Sequence, residues 1–158
     1  MPGVPNLGRE APGTNDDFLW QHLKELPAFR ALLRAVEARF YQDLLPLEEP
    51  VLDVGCGDGH FASVAFPHPL AAGIDPESTV LGEARDRSAY RQLAQALGSG
   101  LPYADQRFAT VISNSVLEHI PNLDPVISEA ARVLKTGAPF IFCVPKKSSQ
   151  EIVWFPRG

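Results

Sequence analysis

The chain alternates short apolar runs with segments whose apolar residues recur at helical spacing. The apolar runs, each of which predicts a short buried strand, are residues 51–54, 70–75, 108–113 and 139–144. Residues 91–96, which are less apolar, predict a further strand between the second and the fourth. Residues 77–86 and 124–137 have helical character; in the second segment, Asp124 and Pro125 are typical of a helix start and Gly137 of its end. Strands that alternate with helices predict an α/β fold with a parallel sheet covered by helices on both faces.

A further amphipathic helix is predicted before the first strand, from Pro27 to a point before Pro46. Its apolar stripe, which we expect to pack on the core, is Phe29, Leu32, Leu33, Val36 and Phe40. Its polar face is marked by Arg30, Arg34 and Glu37. Residues 1–15 are rich in proline and glycine without periodicity, which predicts a flexible arm. Residues 16–158 then form a single domain with its core at 50–145.

Composition narrows the class of protein. A chain of 158 residues that is 45% apolar suits one globular domain. The net charge of −5, without a basic cluster, disfavours a nucleic-acid partner. Cys56 and Cys143 are too few for a disulfide framework or a clustered metal site, so we expect a cytoplasmic protein. We expect neither a secretion signal nor a membrane span, because no apolar run approaches about 20 residues.

Three alternating glycines follow the first predicted strand, where ligands bind in such sheets. They are Gly55, Gly57 and Gly59, and they let a ligand approach the backbone closely. A dinucleotide fingerprint needs glycines at the first, third and sixth positions, and His60 occupies the sixth. The spacing therefore disfavours a nucleotide-dependent oxidoreductase.

Two acidic residues near the loop indicate a different ligand. Asp53, two residues before the first glycine, can accept a hydrogen bond from a cationic amino group, directly or through water. Asp75, at the end of the second strand, can accept hydrogen bonds from both hydroxyls of a ribose. Together they favour a ligand with an amino-acid end and a nucleoside end.

Five segments, in order along the chain, resemble the class I S-adenosylmethionine-dependent methyltransferases, and most closely the type 11 methyltransferase domain. The segments, which span roughly residues 50–145, are 51–59, 73–75, 101–108, 112–120 and 129–137. The resemblance implies a Rossmann-like, doubly wound sheet of five parallel strands in the order 3-2-1-4-5. It also implies S-adenosylmethionine as cofactor and a small-molecule or lipid-like acceptor, with no metal required.

The resemblance also implies a set of cofactor-binding residues. They are Asp53, Gly55, Cys56, Gly57, Gly59, Asp75, Pro76, Leu97, Asn114 and Ser115. Within this set the glycine loop holds the methionine part, Asp53 anchors it, and Asp75 holds the ribose. Asn114 lies beside the sulfonium. His119, after the fourth strand, is the candidate general base, although a histidine there can equally cap or pack the local structure.

The chain departs from the family pattern in two places that bear on function. The acid that often receives the adenine amino group is absent, and Ala96-Leu97-Gly98 occupies that stretch. Few residues follow the fifth strand, so we expect most of the family's last two strands to be missing. An exposed fifth strand favours homodimerisation through the sheet edge, instability, or a truncated product. A non-catalytic or truncated S-adenosylmethionine-binding domain is therefore an alternative to an active methyltransferase.

Overall fold

The computed structural model describes residues 17–145 and 150–155. The predicted flexible arm, residues 1–15, lies outside these ranges. The helices are α1 (Phe18–Leu23), α2 (Ala28–Gln42), α3 (His60–Ala65), α4 (Ser78–Asp86) and α5 (Asp124–Val133), with a short 3₁₀ turn at Leu117–His119. The strands are β1 (Val51–Val54), β2 (Ala72–Asp75), β3 (Leu93–Gln95), β4 (Thr110–Asn114), β5 (Phe140–Pro145) and β6 (Gln150–Phe155).

These strands form one six-stranded sheet in the order β3-β2-β1-β4-β5-β6. Neighbouring strands from β3 to β5 pair in parallel, which confirms the predicted doubly wound sheet and its order 3-2-1-4-5. Strand β1 lies between β2 and β4 and all four of its residues are buried, as a central parallel strand requires. The carboxyl ends of β1, β2 and β4 therefore meet at one edge.

The expectation that β5 is an exposed edge is wrong. Strand β6 pairs antiparallel with β5 along its whole length, from Phe140 opposite Phe155 to Pro145 opposite Gln150. One strand beyond the fifth is thus present, and it satisfies the backbone groups that we expected to be open for dimerisation. In the described part of the chain, the edge strands of this sheet are β3 and β6.

Helices cover both faces of the sheet, and successive residues of β1 point to opposite faces. Val51 belongs to the apolar cluster that contains residues of α2, α3 and α4. Leu52 and Val54 belong to the cluster that contains residues of α5. Asp53 alternates with Leu52, so its side chain lies on the α2–α4 side. Among the described residues, no helix is long and apolar enough to cross a membrane.

Helix α2 forms as predicted, but the prediction of its buried face is wrong. In the predicted core stripe, Phe29 is 72% exposed, Leu32 is 48% exposed and Val36 is 38% exposed, while Leu33 and Phe40 are half-buried. The side that faces the core instead carries Ala31, Ala35, Glu37, Ala38 and Tyr41. Small alanines let α2 pack closely against its neighbours in the core, chiefly α1 and α3, and a pattern that rewards large apolar side chains does not detect such a face.

We predict opposite effects of substitution on the two faces of α2. Ala38→Leu adds volume at a site with 0% exposure, so we expect it to lower the free energy of unfolding by about 1–3 kcal/mol. Phe29→Ala on the outer face should change it by less than about 0.5 kcal/mol. Urea denaturation of both variants measures this. A larger loss for Phe29→Ala than for Ala38→Leu would mean that α2 packs through its other face.

Candidate functional site

Two adjoining cavities open at the carboxyl ends of the central strands. The first, of about 410 Å³, is lined by Asp53, Asp75 and Asn114 from the ends of β1, β2 and β4, and by parts of α2 and of the glycine loop. The second, of about 330 Å³, lies toward β3 and has mostly apolar lining residues. Gly55, Asp75, Ser115 and Val116 line both cavities, so the two cavities adjoin at these residues.

The structure brings together nearly all of the predicted site residues. Those that line the first cavity are Asp53, Gly55, Cys56, Gly57, Asp75, Asn114 and Ser115. Those that line the second are Gly55, Asp75, Pro76, Leu97, Ser115 and His119. Gly59 lines neither described cavity, because it is the N-cap residue of α3, in a left-handed conformation, and lies against Ala84.

The first two loop glycines are needed for different reasons. Gly55 has φ +80°, and a Cβ there would lie 2.5 Å from Cγ2 of Val116. Its lack of a side chain therefore makes room for the segment after β4 rather than for a ligand. Gly57 has φ +54°, and a Cβ there would meet no atom within 4 Å. Gly57 is thus the loop position where backbone faces open space, as close approach by a ligand requires.

Asp53 is a buried carboxyl with only part of its hydrogen-bonding capacity used. The Tyr90 hydroxyl donates to its Oδ2 at 2.7 Å, and Oδ1 has no partner among the described residues. Burial raises the pKa of Asp53 to about 7, the Tyr90 hydrogen bond opposes that rise, and the negative charge of Asp75 adds to it. A cation in the first cavity would lower this pKa and stabilise the carboxylate.

Tyr90 was not foreseen from the sequence, and it reaches Asp53 only because β2 carries a glycine. A Cβ at Gly73 would lie 2.9 Å from Cδ1 of Tyr90 and 3.0 Å from Cβ of Cys56. The tyrosine ring therefore crosses β2 at the one place where that strand has no side chain. This glycine positions the partner of Asp53, although it lines neither cavity.

Asp75 holds the glycine loop in place as well as lining both cavities. Its Oδ2 accepts a hydrogen bond from the backbone N–H of Gly57 at 3.0 Å, and its Oδ1 accepts one from the N–H of Glu77 at 2.9 Å. Each carboxylate oxygen has further lone pairs, so the group can still accept hydrogen bonds from a ligand. The same side chain thus fixes the loop and faces the point where the cavities join.

A second buried carboxylate, Glu37 of α2, was also missed, because the sequence pattern placed it on a solvent-facing surface. It is 1% exposed and accepts hydrogen bonds from Asn114 Nδ2 at 2.7 Å and from Ser115 Oγ at 2.7 Å. Arg34, one turn earlier, forms an ion pair with it. Oδ1 of Asn114 has no partner among the described residues.

Helix α2 also contributes to the first cavity, and α1 contacts the first residue of α3 after the glycine loop. Arg30 and Arg34 of α2 line the cavity and bring positive charge to its wall. His22 of α1 contacts His60, the first residue of α3, with 2.8 Å between Nδ1 and Nε2. Burial lowers the pKa of His22 to about 4, and the neighbouring His60 adds to this effect. The α1 helix is thereby joined to the loop through a neutral pair.

The structure gives little support to nucleophilic or metal chemistry in this site. Burial raises the pKa of the Cys56 thiol far above its usual range, which leaves the nucleophilic thiolate scarce. Within residues 17–145 and 150–155, no group of three or more His, Cys, Asp or Glu side chains is placed to hold a metal ion. His119, the candidate base, has a side chain that is 78% exposed and lies at the second cavity, 3.8 Å from Oε1 of Glu118.

Comparison with known proteins finds similarity to methyltransferases. A methyltransferase domain model matches residues 52–142. The demethylmenaquinone methyltransferase of Tropheryma whipplei is 34% identical over 98 residues, which is 60% of this chain and 41% of that protein. The chain thus spans less than half the length of this relative.

Solved structures share the fold at lower sequence identity. A SAM-dependent methyltransferase from Thermotoga maritima superposes with a TM-score of 0.66 at 21% identity, over 82% of this chain and 56% of that one. Geranyl diphosphate C-methyltransferase from Streptomyces coelicolor, solved with Mg²⁺, geranyl diphosphate and S-adenosyl-L-homocysteine, gives 0.61 at 19% identity, over 72% and 45%. At these identities the likeness concerns the fold alone.

The raised pKa of Asp53 predicts how stability changes with pH. Between pH 4 and 7 the folded state keeps a proton on Asp53 that the unfolded state has lost, so this group lowers the free energy of unfolding as pH rises. Asp53→Asn removes this effect, because an amide does not titrate in this pH range. We expect the stability of the variant relative to wild type to rise by about 2–4 kcal/mol from pH 4 to pH 7. Urea denaturation at several pH values measures it; a constant difference contradicts the prediction.

Proposed function

We propose that this chain binds S-adenosylmethionine across the two cavities and transfers the cofactor's methyl group to a small-molecule acceptor. The chain belongs to the methyltransferase domain family, whose model matches residues 52–142. The observation that carries this proposal is the pair of buried, unpartnered oxygens, Asp53 Oδ1 and Asn114 Oδ1, on residues that line the first cavity. The acting unit is the single domain of residues 16–158, with its core at 50–145.

The chemistry of these oxygens fits the charged part of the cofactor. A buried acceptor without a partner costs about 1–3 kcal/mol, so both atoms favour a ligand that supplies positive charge or N–H donors. Asp53, at the end of β1, would hold the amino group of the methionine part. Asn114, at the end of β4, would lie beside the sulfonium. This arrangement supports the roles inferred from the sequence.

Opposite charge is available for the carboxylate of the methionine part. The loop itself offers few free N–H groups, since Gly55 and Cys56 donate to Ile74 and Gly57 donates to Asp75. Arg30 lines the same cavity and has no hydrogen-bonding or ionic partner among the described residues. We therefore assign the carboxylate to the cavity wall formed by α2 rather than to the glycine loop alone.

The second cavity suits the nucleoside part. Asp75 would accept from the ribose hydroxyls where the cavities join, and Pro76 and Leu97 would pack against the adenine ring. Leu97 is 63% exposed and stands in the stretch where the family often has an acid. Adenine binding would then depend on apolar contact and backbone groups rather than on a carboxylate for its amino group.

Methyl transfer requires mainly that the reacting groups are held in line and shielded from water. When bound, the cofactor supplies an electrophilic methyl group on a sulfonium sulfur. This chain's residues would hold the sulfur side at Asn114 and bring the acceptor to the open face of the site. An acceptor that must lose a proton needs a base, and His119 is the nominated group.

The acceptor class is inferred from relatives. One matching protein is named for demethylmenaquinone and one structural neighbour for geranyl diphosphate, both small molecules with apolar character. A small-molecule or lipid-like acceptor is therefore our proposal for this chain.

Calorimetric titration tests the cofactor assignment. We expect S-adenosylmethionine to bind and NAD not to bind, because the glycine spacing and the polar first cavity suit an amino-acid end rather than a pyrophosphate. Asp53→Ala and Asp75→Ala should each weaken S-adenosylmethionine binding by about tenfold or more, which corresponds to one lost charge-assisted hydrogen bond. Unchanged affinity in both variants, or preference for NAD, would refute the site.

Replacement of His119 tests the nominated base. His119 lines the second cavity, but its side chain is 78% exposed and no contact with the cofactor is assigned to it. We therefore expect His119→Ala to change the S-adenosylmethionine affinity only slightly while losing about 10²-fold or more in turnover of a hydroxyl acceptor. Methyl transfer is measured with radiolabelled cofactor across an acceptor panel. Full turnover by the variant removes His119 from the mechanism. Normal cofactor binding by wild type with no transfer to any acceptor favours a non-catalytic binding domain.

A further inference from the structure

We propose that Glu37 is a positioning residue that fixes the Asn114 amide so that the site prefers the positively charged sulfonium of S-adenosylmethionine over the neutral sulfur of S-adenosylhomocysteine. The inference rests on the proposed function and adds a specificity role for a helix residue outside all the family motifs. It concerns discrimination between the substrate form and the product form of the cofactor.

The hydrogen bond between Asn114 and Glu37 fixes the orientation of the amide. A carboxylate has acceptor atoms only, so the amide end that faces Glu37 must be the NH₂ group. Nδ2 of Asn114 lies 2.7 Å from Oε2 of Glu37, inside hydrogen-bond range, at a residue that is 9% exposed. Because an amide has its oxygen on the other branch, the partially negative Oδ1 is turned away from Glu37.

The surroundings of the Asn114 amide favour one of its two rotated states. Oδ1 has no partner among the described residues, and Asn114 lines the first cavity together with Asp53. If the amide rotated by 180°, its oxygen would face the carboxylate and two acceptors would repel each other. Glu37 therefore excludes the rotated state, which would present NH₂ hydrogens, and hence partial positive charge, in place of the oxygen.

The Glu37 carboxylate is itself held in place by its neighbours. The side chain is held by Ser115, which donates to Oε1 at 2.7 Å, and by the ion pair with Arg34. Together with the hydrogen bond from Asn114, these contacts fix the carboxylate at the end of β4. An amide oxygen held in this way attracts a cation at the sulfur position and has no such attraction for a thioether, so loss of the methyl group weakens binding of the product.

The test is the ratio of dissociation constants for S-adenosylhomocysteine and S-adenosylmethionine, measured by calorimetry on the full chain. We expect Glu37→Gln, which supplies an NH₂ group that can face either branch of the amide, to lower this ratio by about fivefold or more. Asn114→Ala, which removes the amide oxygen, should lower it at least as much. A purely structural role for Glu37 would weaken both ligands equally and leave the ratio unchanged.

An exchange of the two functional groups provides a rescue. Asn114→Asp alone places two carboxylates side by side and should weaken binding of both ligands. The double variant Glu37→Gln with Asn114→Asp restores a donor and acceptor pair with an oxygen on the Asn114 side. We expect it to recover binding and to prefer S-adenosylmethionine at least as strongly as wild type. Failure of the double variant to regain that preference contradicts the inference.

A matched control comes from the same helix. Gln42 of α2 donates to the backbone carbonyl of Ala65 at 2.8 Å and does not contact Asn114. Gln42→Ala therefore weakens the attachment of α2 without touching the amide, and it should leave the ratio at the wild-type value. If wild type binds neither ligand, the proposed function fails. If wild type binds S-adenosylmethionine and all variants that fold keep its ratio, only the role of Glu37 fails.

Discussion

The site depends on two buried hydrogen-bonded pairs, each of which joins a carboxyl group to a side chain from a distant part of the chain. Tyr90 holds Asp53 at the end of β1, and Glu37 of α2 holds Asn114 at the end of β4. Buried polar groups are stable only when their hydrogen bonds are satisfied, yet each pair leaves one oxygen without a partner among the described residues. That unsatisfied capacity, at the meeting point of parallel strands, is the feature from which the ligand assignment follows.

The position of α2 links the fold to this chemistry. Its alanine face is buried in the core, and Glu37 on the same side of the helix reaches Asn114 at the end of β4. The same helix brings Arg30 and Arg34 to the cavity wall. One helix therefore provides packing, a buried carboxylate and two arginines that line the same cavity as Asp53. This arrangement separates positive and negative charge across the cavity, as a zwitterionic amino-acid group requires.

Much of the fold and part of the site followed from local sequence. The five parallel strands and the glycine loop have short-range signals, namely apolar runs that end at glycines or acids. Tyr90 is 37 residues from Asp53, and Glu37 is 77 residues from Asn114, so no spacing rule connects them. The outward face of α2 was misread because large apolar residues such as Phe29 dominate the periodicity while the alanines that make contact contribute little to it. Strand β6 was not predicted, because the few residues after β5 were taken to lack the family's last strands, although residues 152–155 form an apolar run of β-branched and aromatic residues.

The most direct test of the account is the proton balance of cofactor binding. Asp53 has a pKa near 7 because it is buried, and a bound cation beside it would drive off its proton. Calorimetry at pH 6 in two buffers with different ionisation enthalpies counts the protons exchanged when S-adenosylmethionine binds. The account predicts release of about 0.5 to 1 proton by wild type and almost none by Asp53→Asn. Equal proton release by the two proteins would show that the cofactor's charged end does not bind at Asp53.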